Sequence, residues 1–155
     1  MSSVTDRKRV LVIDDDEAVR RWLGEYLGDL GYEAHSAVDG EHGIRSAIAL
    51  RPALIFLDLY VPAPSLAIRF ADAYRERVPA EERAPIVVIS GTDRLDELAQ
   101  RIGADATLSK PFELAEVTKL LVKFLEPAEI PAPQPEPESA APAADLAPQP
   151  ETGPA

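Results

Sequence analysis

Acidic, hydroxyl and ammonium side chains stand at the ends of four short apolar runs in this 155-residue chain. Val10, Leu11, Val12 and Ile13 lead into Asp14, Asp15 and Asp16. Ala53, Leu54, Ile55, Phe56 and Leu57 lead into Asp58, and Ile86, Val87, Val88 and Ile89 into Ser90. Ala106, Thr107 and Leu108 lead into Ser109, Lys110 and Pro111. Three carboxylates brought into one pocket repel one another and raise each other's pKa unless a cation shares the space. Magnesium suits such a set, because it takes hard oxygen ligands and is usually held by one or two carboxylates together with a phosphate. Lys110 adds a point charge for a phosphate oxygen, and the Ser90 hydroxyl adds a donor. The inventory therefore fits a phosphoryl group attached to one of the site's own acids.

The segments between these runs must bring the four ends together. Residues 16–30 place Val19, Leu23, Tyr26, Leu27 and Leu30 on one helical face, with Gly31 as a stop. Residues 32–38 read as a strand, Asp39-Gly40 as a turn whose Asp39 caps the next helix, and residues 41–50 as a helix with Ile44, Ala47 and Ile48 inward. Helical spacing recurs over residues 66–78 through Leu66, Phe70, Ala73 and Tyr74, and over residues 93–102 through Leu95, Leu98 and Ile102 up to Gly103. The last helix, residues 113–125, turns Leu114, Val117, Leu121 and Leu125 inward. Five strands alternating with five helices predict an α/β fold with a parallel sheet. Ligands of such sheets bind outside the carboxyl ends of the strands, where Asp14, Asp15, Asp58, Ser90 and Lys110 all fall.

Composition narrows the function. The formal net charge is −11, and the five acids of residues 127–155 do not account for it, so the foldable part is acidic too. That balance argues against a nucleic-acid partner, whose phosphates need lysine and arginine. The absence of cysteine excludes disulfides, thiol catalysis and thiolate metal sites. No apolar segment approaches the length of a membrane span and no secretory signal precedes the first strand, so a soluble, cytoplasmic protein is expected. Residues 127–155 repeat Pro, Ala, Glu and Gln and hold nine of the fifteen prolines, the composition of a disordered tail. The expected organisation is an N-terminal extension over residues 1–8, one domain over 9–126 and the tail over 127–155.

An acid pair after strand one, an aspartate after strand three, a hydroxyl after strand four and Lys-Pro after strand five resemble the receiver domain of response regulators. The segments that carry the resemblance lie at residues 9–17, 57–62, 88–91 and 103–112, and it covers residues 8–126. It implies a flavodoxin-like, doubly wound sheet of order 2-1-3-4-5. It also implies that Asp58 accepts a phosphoryl group from a histidine kinase or histidine phosphotransfer protein in a magnesium-dependent reaction. In that family pattern Asp15 is a direct metal ligand and Asp14 helps through water or hydrogen bonds. The Tyr60 main-chain carbonyl completes the metal shell, and Ser90 and Lys110 meet the phosphoryl group. Tyr60 and Thr92 flank the path of the hydrolytic water, and Gly91 keeps the backbone open to phosphate. Such a domain promotes its own phosphorylation and dephosphorylation without being an enzyme in the ordinary sense. With no output domain expected after Leu125, its message passes to a downstream protein by contact.

Two positions depart from that pattern. Thr107 stands where an aromatic residue commonly reports movement of the hydroxyl, and Ala63-Pro-Ser-Leu66 replaces a loop that commonly ends in glycine. These departures leave room for an interaction module with the same fold that works without phosphorylation. A haloacid-dehalogenase-like phosphatase, with Asp14 and Asp16 as its Asp-x-Asp pair, is the competing enzyme reading. Asp16 is expected to cap the first helix instead. His35 and His42 are expected to be surface or structural residues, and Trp22 a partly buried helix residue.

Overall fold

Strands rich in Val, Ile and Leu, buried on both faces, belong in the middle of a parallel sheet covered by helices. The computed structural model describes residues 7–59, 64–91 and 93–125 and has this arrangement. Its elements are β1 (Arg9–Ile13), α1 (Glu17–Asp29), β2 (Glu33–Ala37), α2 (Gly40–Leu50), β3 (Leu54–Asp58), α3 (Pro64–Arg77), β4 (Ile86–Ser90), α4 (Leu95–Ile102), β5 (Ala106–Ser109) and α5 (Leu114–Phe124). A short 3-10 turn, Ala80–Glu82, precedes β4. All strand pairs are parallel and the order is β2-β1-β3-β4-β5, as expected.

The sheet separates two cores. Val10, Val12, Leu54, Phe56, Val87, Ile89 and Leu108 pack against α1 and α5 through Val19, Leu23, Leu27, Val117 and Leu121. Leu11, Ile13, Ile55, Leu57, Ile86 and Val88 pack against α2, α3 and α4 through Ile44, Ala47, Phe70, Tyr74, Leu95 and Ile102. Each buried large aliphatic side chain contributes roughly 1.5–3 kcal/mol. Further contacts tie the helices to their neighbours. Tyr26 on α1 shares a 2.6 Å hydrogen bond with Thr118 Oγ1 on α5, while Trp22 on α1 lies 5.5 Å, centroid to centroid, from Phe112. On the other face, Arg75 of α3 donates to the Ile102 and Gly103 carbonyls at the end of α4.

Helix ends follow local chemistry. Asp16 Oδ1 accepts from the Ala18 amide and Asp39 Oδ1 from the His42 amide, so both expected caps form. Gly31 and Gly103 take φ of 97° and 78°, the left-handed backbone that ends α1 and α4.

Three expectations need correction. Ile48 is 40% exposed, because the inward stripe of α2 runs through Gly43, Ile44 and Ala47, and Ile48 lies one position further around the helix. Helix α3 starts at Pro64 rather than 66, proline being well suited to a first turn. Helix α4 starts at Leu95 rather than 93, since Asp93 and Arg94 form a turn ahead of it. The expected N-terminal extension, apart from Arg7 and Lys8, and the expected tail lie outside the described residues.

Candidate functional site

Because the strands are parallel, their carboxyl ends share one edge. Four of them deliver the residues singled out from the sequence. Asp14 follows β1 and is fully buried, Asp58 ends β3 at 4% exposure, Ser90 ends β4 at 1%, and Lys110 follows β5. Asp15 is exposed at the rim. One oxygen from each of Asp14, Asp15 and Asp58 lies within 4.8 Å of the others. Lys110 Nζ donates to Asp58 Oδ1 at 3.2 Å and to Asp14 Oδ2 at 3.3 Å. The Lys110 amide donates to the Ser90 carbonyl at 2.9 Å, which fixes the lysine beside the end of β4.

Asp14 is held from every side. Its amide donates to the Ala37 carbonyl at 3.1 Å, and its Oδ1 accepts from the Asp16 amide at 2.9 Å. Its carbonyl accepts from Arg20 Nη1 at 2.8 Å. With Oδ2 on Lys110, this residue braces the pocket. Asp16 turns to the Ala18 amide as a helix cap.

Burial dominates the electrostatics. It raises the Asp58 pKa from 3.8 to about 6; Asp14 pushes the same way, and Lys110 pulls against both. Asp14 is raised too, chiefly by burial, with the Asp16 amide and Lys110 in opposition. Burial would lower the pKa of Lys110, yet Asp14 and Asp58 together reverse that and raise it. Among the described residues Lys110 is the one ammonium that touches these acids, so three carboxylates against one cation leave an excess of two negative charges. A divalent, oxygen-seeking cation such as magnesium fits that excess and that ligand set.

Thr107 is exposed and stands beside Val88 in register, so it faces the side of the sheet that carries α4. A Cβ at Gly91 would meet Lys110 Cβ and the Lys110 carbonyl at 3.7 Å, an ordinary contact, so nothing in the described surroundings demands glycine there. Tyr60 and Thr92 lie outside the described residues. His35 pairs with Glu33 at 2.7 Å on the edge strand and His42 is exposed, both remote from a metal role. Arg20, passed over in the sequence, touches the site through a main-chain carbonyl. A side chain reaching a main-chain carbonyl six residues away, outside any cap motif, leaves no pattern of residue types to read.

Comparisons with known proteins bear on the family and the fold. The model of the response regulator receiver domain matches residues 10–122. The transcriptional regulatory protein PrrA of Mycobacterium tuberculosis is 37% identical over 111 residues, 70% of this chain and 46% of that protein. The alkaline phosphatase synthesis transcriptional regulatory protein PhoP of Bacillus subtilis is 32% identical over 131 residues, 83% of this chain and 53% of that one. The chain spans about half the length of the curated relatives it matches. Among solved structures, the Vibrio cholerae chemotaxis protein CheY4 superposes with a TM-score of 0.68 at 26% identity, covering 77% of this chain and all of that one. A signal receiver domain from Bermanella marisrubri has the same TM-score at 27% identity, covering 77% of this chain and 98% of its own.

Proposed function

Since the chain belongs to the response regulator receiver domain family, we propose that it is a phosphorylation-dependent switch in which Asp58 accepts a phosphoryl group from a histidine kinase or histidine phosphotransfer protein. The observation that carries this reading is the junction of Asp58, Asp14 and Lys110 at one strand edge, with Asp15 in reach. On this reading residues 9–126 form the receiver unit, preceded by residues 1–8 and followed by a Pro/Ala/Glu-rich tail over 127–155, in a cytoplasmic protein. Among the described residues no helix is long and apolar enough to cross a membrane.

An Asp58 carboxylate oxygen attacks the phosphorus of a phosphohistidine; the P–N bond breaks and its electron pair returns to the imidazole. Asp58 must be ionised to attack, so the reaction needs a pH above its raised pKa or a cation that lowers it. Magnesium would be held by Asp15 and Asp58, with Asp14 behind them, and would supply the charge that offsets the gathering phosphoryl oxygens; in the family pattern the residue 60 carbonyl completes that shell. Lys110 Nζ stays on Asp58 and meets a phosphoryl oxygen, and the Ser90 hydroxyl donates to another. Asp14 keeps Lys110 aimed into the pocket. Water attacking the phosphorus returns Asp58 to its free carboxylate and releases inorganic phosphate, a step that Thr92 and Tyr60 tune in the family pattern. The output is contact with a downstream protein, shaped by the face around Thr107.

The test is the intact mass of the full chain after incubation with magnesium and acetyl phosphate, for the wild type beside Asp58→Asn. One phosphoryl adduct on the wild type, lost with chelator and absent from the variant, is expected. Full labelling of Asp58→Asn overturns the assignment. If neither acetyl phosphate nor a phosphohistidine donor labels the wild type, the domain works by binding alone.

A further inference from the structure

Arg20 grips both neighbours of Asp15. Its guanidinium Nη1 donates to the Asp14 carbonyl at 2.8 Å, and its main-chain amide donates to the Asp16 carbonyl at 3.1 Å. The Asp14 carbonyl lies past the end of β1 and ahead of the Asp16 cap, where neither the strand ladder nor the helix claims it. Asp15, between these two held residues, makes no side-chain hydrogen bond among the described residues and is exposed. What aims its carboxylate toward Asp58 is therefore the path of the β1–α1 turn, which Arg20 ties to the body of α1 at Asp14, as the Asp16 cap does one residue beyond Asp15.

We propose that Arg20 is a positioning residue: by holding the Asp14 carbonyl it sets the direction of the Asp15 carboxylate and thereby the affinity of the acid site for magnesium. The proposal rests on the phosphoacceptor reading given above. Arg20 reaches the site through the Asp14 carbonyl and not through a carboxylate, so its grip on the backbone is distinct from the effect of its charge. The two roles predict opposite signs. A cation acting by charge repels magnesium, and its loss tightens binding; a positioning residue weakens binding when it is lost.

Calorimetric titration of magnesium into the full chain separates them, with the wild type, Arg20→Gln and Arg20→Lys compared and the unfolding midpoint of each recorded. The expected result is a dissociation constant raised roughly tenfold in Arg20→Gln, as for loss of an outer support of a metal ligand, with Arg20→Lys in between. Unchanged or tighter binding by folded Arg20→Gln overturns the proposal, even if its midpoint falls. Should Arg20→Gln fail to fold, binding by Arg20→Lys equal to the wild type overturns it as well. A wild type that takes up no magnesium overturns the metal-site reading first, and this proposal with it.

Discussion

Replacing Asp58 with asparagine should stabilise the metal-free protein at alkaline pH. Burial, and after it the Asp14 carboxylate, lifts the Asp58 pKa from 3.8 to about 6. An acid whose folded pKa is raised favours folding where it is protonated and opposes it where it is ionised. The stability linked to Asp58 is complete below pH 3.8, declines as the pH rises toward 6, and is gone above that. At about 1.4 kcal/mol per pKa unit, the ionised carboxylate costs the fold about 3 kcal/mol at pH 8. Its side chain is only 6% exposed, so solvent screens little of this. That figure already includes the pull of Lys110, which in the variant keeps Asp14 at 3.3 Å, so the net gain is about 3 kcal/mol. Urea unfolding in the presence of chelator, at pH 8 and pH 4, measures it. The gain should be present at pH 8 and vanish near pH 4. A variant no more stable than the wild type at pH 8, or equally stabilised at both values, would refute the reasoning.

Lys110→Ala leaves Asp14 and Asp58 facing each other with no ammonium between them. It should lose about 2–3 kcal/mol in urea unfolding at pH 8 and label with acetyl phosphate roughly 100-fold more slowly. Gly103→Ala puts a side chain at φ 78° with its Cβ 2.5 Å from Arg75 Nη2, so Arg75 must leave the end of α4. A loss of about 1–3 kcal/mol is expected by thermal unfolding, and an unchanged midpoint would mean the clamp is idle. Thr118→Val removes the hydrogen-bond partner of the Tyr26 hydroxyl between α1 and α5, with an expected cost of about 1 kcal/mol in chemical denaturation and no change in magnesium affinity.

The sheet was legible because its signal is local and redundant. Four apolar runs with chemistry at their ends, separated by helical spacing, admit few other folds, and parallel strands then bring Asp14, Asp58 and Lys110 together whatever the loops do. The caps Asp16 and Asp39 were legible for the same reason, since each acts on an amide two or three residues away. Ile48 was misplaced because the spacing 44, 47, 48 fits a wide stripe, and only the packing of α2 against the sheet narrows it to one side. The contacts of Arg20, Arg75 and Tyr26 were out of reach. Each joins atoms far apart in the chain or ends on a backbone carbonyl, where residue type carries no information.

The central sheet also acts as a partition wall. Helices α1 and α5 are tied to each other on one side and α3 to α4 on the other, and the two cores share no side chain. Substitutions on opposite sides should combine additively, because separated sites with no common partner do not couple. One side of the molecule can then drift to meet a new partner without renegotiating the other. The exception is the row of strand ends that carries Asp14, Asp58, Ser90 and Lys110, where the wall has an open top and both rooms adjoin.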